Sequence, residues 1–307
     1  MIYTLTLNPA LDYTVFAEGL TVGAVNRAGG FSISYGGKGI NVSAMLKNLN
    51  VSSVALGFIA GFTGNELEKL LLNEGINFDF IKLKSGITRI NVKIREKSET
   101  DINVQGPCAS ADELNLLYKK LNKLEHGDWL VLSGSIPSGM PSDIYARLSE
   151  FAEKRGARVI IDAVGSALTD SLYTKPFLIK PNREELGDIF GEEISGISAA
   201  FFYAEKLKAE GAKNVMITLG GEGSALICEN GERLYCSAAD GAVLNTVGAG
   251  DSAVAGFIAG YSENGSYKNA LKLSAAAGGA TAFSNGIGNA ELVNRLRSSI
   301  SVKEYAQ

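Results

Sequence analysis

The residues best suited to chemistry lie in one glycine-rich stretch, N-T-V-G-A-G-D-S, at positions 245–252. Apolar residues follow at helical spacing from Val254 to Tyr261, which predicts that the glycines lie at the N-terminus of an amphipathic helix. Unpaired backbone N–H groups and the positive end of the helix dipole make such an end a site for anions. Because Gly248 and Gly250 carry no side chain, a phosphate could approach the main chain closely.

A carboxylate beside an anion site is unfavourable for simple binding, so the presence of Asp251 needs a chemical explanation. The arrangement makes sense if Asp251 takes a proton from a hydroxyl while the N–H groups hold the charge on a transferring phosphoryl group. The simpler alternative is that Asp251 only caps the helix. A short apolar piece at residues 242–244 precedes the glycines and is predicted to be strand-like.

Composition narrows the possible classes of function. The 307 residues are 46% hydrophobic and 20% charged, with a net charge of −4, which is typical of a globular protein with a large core. Basic residues are scattered and no apolar run has membrane length, so neither nucleic acid nor membrane is an expected partner. Three cysteines without a C-x-x-C pair, and an N-terminus unlike a signal peptide, predict a reduced, cytoplasmic protein. With one histidine, His126, the chemistry must use carboxylates, lysines, arginines and backbone groups.

A second glycine-rich loop, Y-G-G-K-G-I-N at 35–41, also leads into a helical pattern. It is not a Walker A loop, since Ser32 stands at the first glycine position and Gly39 at the hydroxyl position after Lys38. Three glycines around one lysine favour a pocket for a small polyhydroxylated or phosphorylated ligand. A flexible turn is the alternative.

Strand and helix patterns alternate along most of the chain. Apolar runs at 129–132, 159–161, 177–179 and 215–219 follow helical stretches, and each ends in polar or glycine residues. The alternation predicts a mostly parallel sheet covered by helices on both faces, with the strand ends along one rim. Asp12 follows the opening strand at such an end, where it could accept hydrogen bonds from substrate hydroxyls or simply belong to a turn.

Two segments, 13–35 and 87–95, interrupt this rhythm. Residues 87–95 alternate strictly, with apolar side chains on one side and Arg89, Lys93 and Arg95 among those on the other. The pattern, which is typical of antiparallel strands, predicts a small accessory sheet. The guanidinium of Arg89 suits a phosphate monoester, whereas Lys93 and Arg95 are interpreted as a solvated face.

Six separate motifs then agree with one family in the same order along the chain. They are N-P-A-L-D (8–12), G-G-K-G-I-N (36–41), S-G-S-I-P (133–137), K-P-N-x-x-E (180–185), T-L-G-G-x-G (218–223) and N-T-V-G-A-G-D-S (245–252). In these motifs the chain resembles the ribokinase-like, phosphofructokinase-B sugar kinases. N-P-A-L-D together with T-R-I-N (88–91) narrows the resemblance to the branch of 1-phosphofructokinases and tagatose-6-phosphate kinases.

The resemblance implies a three-layer α/β/α fold with a mostly parallel central sheet. One kinase domain would span residues 1–307, with a small β-sheet lid formed by about 11–35 and 87–106. The exposed edge of that lid predicts that two copies could form a homodimer through it.

The resemblance also implies roles for individual residues. Asp251 would be the catalytic base, and the N–H groups of Gly248, Ala249, Gly250 and Asp251 would form an anion hole. Substrate would be held by Asp12, Gly36, Gly37, Lys38, Gly39, Asn41, Arg89, Arg27 and Ser135, with Lys38, Arg89 and Arg27 at its phosphate. ATP would be bordered by Lys180, Asn182, Thr218, Gly220, Gly221, Gly223, Gly248, Gly250 and Asn285. Glu185 and Asn182 would position Mg²⁺ through water.

The implied reaction is ATP-dependent phosphorylation of a ketohexose monophosphate, with D-fructose 1-phosphate giving D-fructose 1,6-bisphosphate. Tagatose 6-phosphate giving tagatose 1,6-bisphosphate is the alternative within the family. A remote alternative is an NAD-dependent oxidoreductase, because G-A-G-D-S-A at 248–253 fits G-x-G-x-x-A, although no acidic residue lies about twenty positions on. A sugar-phosphate sensor without chemistry is disfavoured because Asp251 is present.

Overall fold

The structure, a computed structural model, describes residues 1–96 and 99–306. The strands are β1 (Ile2–Thr6), β2 (Ala10–Ala17), β3 (Ala28–Gly36), β4 (Val54–Ile59), β5 (Ile81–Lys82), β6 (Arg89–Arg95), β7 (Glu99–Ile102), β8 (Trp129–Ser133), β9 (Arg158–Asp162), β10 (Leu178–Ile179), β11 (Asn214–Thr218), β12 (Ser224–Ile227), β13 (Arg233–Cys236) and β14 (Val302–Glu304). The helices are α1 (Lys38–Asn48), α2 (Gly61–Asn73), α3 (Ala111–Leu121), α4 (Ile144–Glu153), α5 (Ser166–Thr169), α6 (Arg183–Phe190), α7 (Gly196–Ala209), α8 (Ala249–Asn264), α9 (Tyr267–Ala282) and α10 (Ala290–Ser299).

The large sheet has the strand order β14-β13-β12-β11-β10-β9-β8-β1-β4-β5. From β5 to β11 every neighbouring pair is parallel, whereas β12, β13 and β14 pair antiparallel. The predicted mostly parallel sheet is therefore confirmed. Because parallel strands end at the same edge, the loops after β1, β8, β9, β10 and β11 meet along one rim.

Helices cover both faces of this sheet, and strand alternation divides the core between them. Leu130 and Leu132 of β8 belong to one core with residues of α3, α4 and α7. Trp129 and Val131 belong to a second core with residues of α1, α8 and α9. The three-layer arrangement thus follows from strands whose two faces are both apolar.

The lid is a separate sheet with the strand order β3-β2-β6-β7. Strand β2 begins one residue before the predicted segment 11–35 and β3 ends one residue after it, whereas β6 and β7 fall inside 87–106. The expectation of antiparallel pairing is wrong for one pair: β6 runs parallel to β2 and antiparallel to β7. Alternation of apolar and polar residues shows that the two faces of a strand differ. It does not indicate strand direction, because parallel and antiparallel strands alternate in the same way.

Two local predictions around the glycine-rich stretch 245–252 are also wrong. Residues 242–244 form no strand; they lie in an irregular loop with Val243 and Leu244 exposed. Helix α8 is not amphipathic, because residues 251–260 are buried all round between α1 and α9. In the described part of the chain, no helix is both long and apolar enough to cross a membrane.

Candidate active site

Asp251 lies in the first turn of α8, at the rim where the parallel strands end. The helix begins at Ala249 after Gly248, whose φ of +81° is in the left-handed region that favours glycine. No side chain caps this helix. Instead, Oδ2 of Asp251 accepts a hydrogen bond of 2.8 Å from Nδ2 of Asn41, and only 5% of Asp251 is exposed. The alternative that Asp251 is merely a helix cap is therefore wrong.

The surroundings of Asp251 raise the affinity of its carboxylate for a proton. Burial, reinforced by the nearby carboxylate of Asp162, raises the pKa of Asp251 to about 6. The ammonium of Lys38 and the hydrogen bond from Asn41 oppose this shift. A carboxyl group with such a pKa is mostly ionised at neutral pH and is still a better proton acceptor than a solvated aspartate.

The backbone beside Asp251 offers free hydrogen-bond donors. Among the described residues, no acceptor lies within hydrogen-bonding reach of the N–H of Gly250 or Asp251, whereas the N–H of Ala249 donates to the carbonyl of Thr246 at 3.2 Å. A Cβ added at Gly250 would lie 3.3 Å from Nζ of Lys180, so a cation adjoins these donors. The end of α8 can accordingly hold negative charge.

The second glycine loop is tightly packed rather than a flexible turn. A Cβ added at Gly36 would lie 2.7 Å from Oδ1 of Asp12, and one at Gly39 would lie 2.7 Å from Oγ1 of Thr6. Gly37 has a φ of +129° and immediately precedes α1. The glycines thus let α1 approach β1 and Asp12 closely, which brings Asn41 to Asp251.

Lys38 lies in a cluster of opposite charges at the ends of β9 and β10. Its Nζ is 3.3 Å from Oδ1 of Asp162 and 3.8 Å from Oε1 of Glu185, and Nζ of Lys180 is 3.2 Å from the same Asp162 oxygen. Burial lowers the pKa of Lys38, but the carboxylates of Asp162, Asp251 and Glu185 together raise it above its ordinary value. A permanent positive charge therefore lies between Asp251 and Glu185.

Asp162 is a functional candidate that lies outside the sequence motifs named above. It is fully buried, and burial raises its pKa, but Lys180 and Lys38 lower it by more, so the group is ionised. Its Oδ2 has no hydrogen-bond partner among the described residues. The available signal is its position directly after the apolar run 159–161, at the end of β9 and the rim of the sheet.

Asp12 lies on the inner face of the lid and is held by two side chains of β6. Its Oδ2 is 2.8 Å from Nζ of Lys93, and its Oδ1 accepts a hydrogen bond of 3.0 Å from Nδ2 of Asn91. Lys93 is only 9% exposed, so its interpretation as a solvated residue is wrong. Asp12, Lys93 and Asn41 all line a cavity of about 870 Å³ between the lid and α1.

Arg89 and Ser135 meet at Asn8, on the other side of the same rim. The Nε and Nη1 groups of Arg89 donate to the carbonyls of Asn8 and Val104, each at 3.2 Å, and Nδ2 of Asn8 donates to Oγ of Ser135 at 3.1 Å. The structure therefore brings Arg89 and Ser135 together. Arg27, in the loop before β3, is exposed and makes no described contact with these groups.

A model of one protein family, the pfkB family carbohydrate kinases, matches residues 5–293. The chain belongs to this family. It is 43% identical over 302 residues to a 1-phosphofructokinase of Bacillus subtilis (98% of this chain, 99% of the relative). It is 38% identical over 303 residues to a D-tagatose-1-phosphate kinase of Bacillus licheniformis, with the same coverage. The crystal structure of phosphofructokinase-2 from Escherichia coli in complex with substrates and products superposes with a TM-score of 0.91 at 27% identity (97% of this chain, 98% of that chain).

These likenesses confirm the predicted ribokinase-like fold and the assignment as a carbohydrate kinase. In this pfkB kinase, the predicted metal residues form a capping box at the start of α6. Oδ1 of Asn182 accepts from the N–H of Glu185, and Oε2 of Glu185 accepts from the N–H of Asn182. Oε1 of Glu185 remains directed toward Lys38 and the rim.

The carboxylates of Glu185 and Asp162 are oxygen donors of the kind that Mg²⁺ prefers, and the unpartnered Oδ2 of Asp162 fits a nearby cation or its water. The described residues contain no cluster of three or more acidic, histidine or cysteine side chains suited to a metal. Mg²⁺ usually binds proteins through one or two carboxylates together with substrate phosphates and water, and the carboxylates of Glu185 and Asp162 would suit that kind of site. The role of Asn182 toward the metal stays a prediction.

The predicted nucleotide loop of this kinase follows β11. Gly220 and Gly221 are exposed in a short 3-10 turn, and a Cβ on either would meet open space. Gly223 is instead required by packing, because a Cβ there would lie 2.0 Å from the carbonyl oxygen of Cys236. Thr218 is partly buried, and Asn285 is exposed at the edge of the cavity. Contact of these residues with ATP stays a prediction.

Proposed function

We propose that the protein is a 1-phosphofructokinase, which converts D-fructose 1-phosphate and ATP to D-fructose 1,6-bisphosphate and ADP. The observation that carries this proposal is the buried Asp251 with a pKa near 6, held by Asn41 beside free backbone donors. The 43% identity to a 1-phosphofructokinase over nearly the whole chain supports the choice of substrate.

In the proposed reaction the C6 hydroxyl of the sugar lies against Asp251. As the hydroxyl oxygen attacks the γ-phosphorus of ATP, its proton passes to Asp251, the new O–P bond forms and the bond to the β-phosphate oxygen breaks. ADP leaves with that electron pair, and Asp251 later returns the proton to solvent. Asn41 keeps the carboxylate facing the hydroxyl by its 2.8 Å hydrogen bond.

Charge on the transferring group would be stabilised from two sides. The N–H groups of Gly250 and Asp251 and the ammonium of Lys180 lie on the α8 side. Lys38 lies on the other side, near Asp162 and Glu185. Such donors are fixed before the reaction and need no reorganisation during it. Mg²⁺, when bound with ATP, would neutralise charge on the phosphates.

The phosphate already present on the sugar would lie away from Asp251, near Arg89 and Ser135. Two of the guanidinium nitrogens of Arg89 hold backbone carbonyls, which orients the remaining donors rigidly. Asp12 would accept hydrogen bonds from hydroxyls of the sugar, since its carboxylate lines the cavity with Asn41. Lys38 was predicted to bind this phosphate as well, and its position among Asp162 and Glu185 favours the transferred phosphoryl group instead.

D-Tagatose 1-phosphate is the second candidate substrate, because a relative with 38% identity is named for that activity. Tagatose 6-phosphate, the alternative from the sequence, gains no support from the relatives described above. The oxidoreductase alternative loses its structural basis: a dinucleotide fingerprint must follow a strand, and residues 242–244 form none.

The test is an ADP-release assay with ATP and Mg²⁺ over ketose and aldose monophosphates, with products identified by ³¹P NMR. The highest kcat/KM is expected for D-fructose 1-phosphate, with the 1,6-bisphosphate as product. Failure to form a bisphosphate from any ketose 1-phosphate would refute the proposal.

We also propose that two copies pair through the outer face of the lid. On the face opposite Asp12 the lid exposes Phe31, Ile33 and Ile102, which are 64%, 44% and 50% exposed. An apolar sheet face of this kind is normally covered by a partner. Light scattering should show a dimer for the native chain and a monomer for Phe31→Lys; a monomeric native protein would refute the pairing.

The three free thiols accord with the predicted cytoplasmic location.

A further inference from the structure

Lys93 occupies an unusual position for a lysine in a small exposed sheet. It lies opposite Thr14 in the β2–β6 pairing, one step along the inner face from the pair of Asp12 and Asn91. Side chains at alternate positions of a strand share a face, so Lys93 and Asn91 lie on the same side of β6 as Asp12 lies on β2. Lys93 and Asp12 line the cavity, and Asn91 lies behind them as a hydrogen-bond donor to Asp12. The two charged residues of this group are more than nine-tenths buried.

The contacts fix the Asp12 carboxylate from three directions. Lys93 holds Oδ2 at 2.8 Å, and Asn91 donates to Oδ1 at 3.0 Å. On the side of β3, Gly36 lies so close that a Cβ would be 2.7 Å from Oδ1. An ionised carboxylate has about four acceptor positions, so two of them remain for a ligand while the group cannot rotate.

A contribution to folding stability does not by itself explain the buried ion pair of Lys93 and Asp12. Taking both charges out of water costs free energy that their attraction barely offsets, and apolar residues of similar volume often serve a fold as well. Fixed orientation is worth more in a site, because a hydroxyl of the substrate then meets an acceptor that is already aligned.

We propose that Lys93 is a positioning residue for the sugar phosphate. It holds the carboxylate of Asp12 in the orientation in which that carboxylate accepts hydrogen bonds from the hydroxyls of the ketose. The proposal rests on the proposed function, in that the ligand is a ketohexose monophosphate. Under this proposal, β6 of the lid contributes to recognition of the sugar through Lys93, whereas Arg89 and Ser135 bind the phosphate of the substrate.

The test is a double-mutant cycle on turnover of D-fructose 1-phosphate, with Lys93→Met, Asp12→Asn and the double variant. Lys93→Met should raise KM for the sugar phosphate by about 10–100-fold, the range for a lost hydrogen bond to a charged group. KM for ATP should change by less than about threefold, because, apart from Asn285, the residues predicted to border ATP do not line the cavity that contains Lys93. In the Asp12→Asn background, Lys93→Met should add less than about twofold, since the two residues act as one unit.

Lys93→Arg supplies the conservative variant and should recover most of the lost affinity for sugar. Lys82→Met, at an exposed lysine whose side chain is 60% exposed, is the matched control and should leave both KM values unchanged. Nucleotide binding measured by calorimetry shows whether each variant is folded. An unchanged KM for sugar in folded Lys93→Met would overturn the proposal, and so would full multiplication of the two losses, which would mean that Lys93 binds the substrate independently.

Failure of the proposed function is distinguishable from failure of this inference. If the native protein prefers another ketose phosphate, the same cycle is measured on that sugar, and the predicted coupling is unchanged. If the native protein phosphorylates no sugar phosphate at all, the proposed function fails first, and the inference falls with it.

Discussion

The pKa of Asp251 predicts how the rate of the enzyme depends on pH. Burial first, and the carboxylate of Asp162 second, raise this pKa to about 6. The base must be ionised to act, so activity should fall as the pH drops through 6. With that pKa about 90% of the enzyme is active at pH 7 and about 10% at pH 5, which gives a loss of about tenfold between the two.

Asp251→Asn isolates this effect. Asparagine has nearly the same shape and keeps an oxygen for the hydrogen bond from Asn41, but it cannot take a proton at these pH values. Turnover should fall on the order of 10²–10⁴-fold, the usual contribution of a general base, while the Kd for ATP stays within about threefold. The remaining activity should no longer depend on an enzyme group that ionises near pH 6.

The substrate complicates the assay, because a phosphate monoester also ionises near pH 6. The quantity to measure is therefore the ratio of kcat/KM between native enzyme and Asp251→Asn from pH 5 to 8, in which ionisation of the sugar phosphate cancels. The ratio should be flat above pH 7 and fall about tenfold by pH 5. A ratio that is constant across this range, or a variant with native turnover, would show that Asp251 is not the base.

Three further outcomes follow from the contacts around this residue. Asn41→Ala removes a hydrogen bond that lowers the pKa of Asp251, so the fall in activity should move to higher pH; an unmoved profile would contradict the role of Asn41. Lys38→Met should lower kcat on the order of 10²-fold with little change in KM for sugar, because Lys38 lies beside Asp162, where it would stabilise the transferred phosphoryl group. A rise in KM alone would instead indicate that Lys38 binds the phosphate already present on the sugar. Arg89→Ala should raise KM for the sugar phosphate about 10–100-fold in steady-state assays and leave kcat within a few-fold; an unchanged KM would remove Arg89 from the phosphate site.

The main features of the fold could be predicted because the buried strands carry a strong local signal. Runs such as 129–132 and 159–161 are apolar on both faces, and in the structure they are central strands with a core on each side. The start of α8 was predictable for a related reason, since the glycines of 245–252 and Asp251 directly precede a long apolar segment.

What could not be predicted depends on contacts between distant segments. Alternation in β6 separates a polar from an apolar face, but only the packing of the lid over α1 shows that the face with Lys93 meets a cavity rather than water. Asp162 is followed by Ala163 at a strand end, and such an aspartate is indistinguishable from a turn residue until Lys38 and Lys180 are placed beside it. The apolar triplet at 242–244 resembles a strand, yet no strand among the described residues pairs with it.

The same long-range contacts explain why Asp251 can work at neutral pH. Its carboxylate is more than nine-tenths buried and close to Asp162, two effects that both raise its pKa and so favour the protonated form. Lys38, Lys180 and the Asn41 amide oppose them, and all three come from segments far from α8 in the chain. The balance keeps the group ionised above about pH 6 while it remains a stronger base than a solvated aspartate. Removing either lysine should therefore raise the pKa of Asp251, so that fewer molecules carry it ionised at pH 7, and should also weaken the stabilisation of charge.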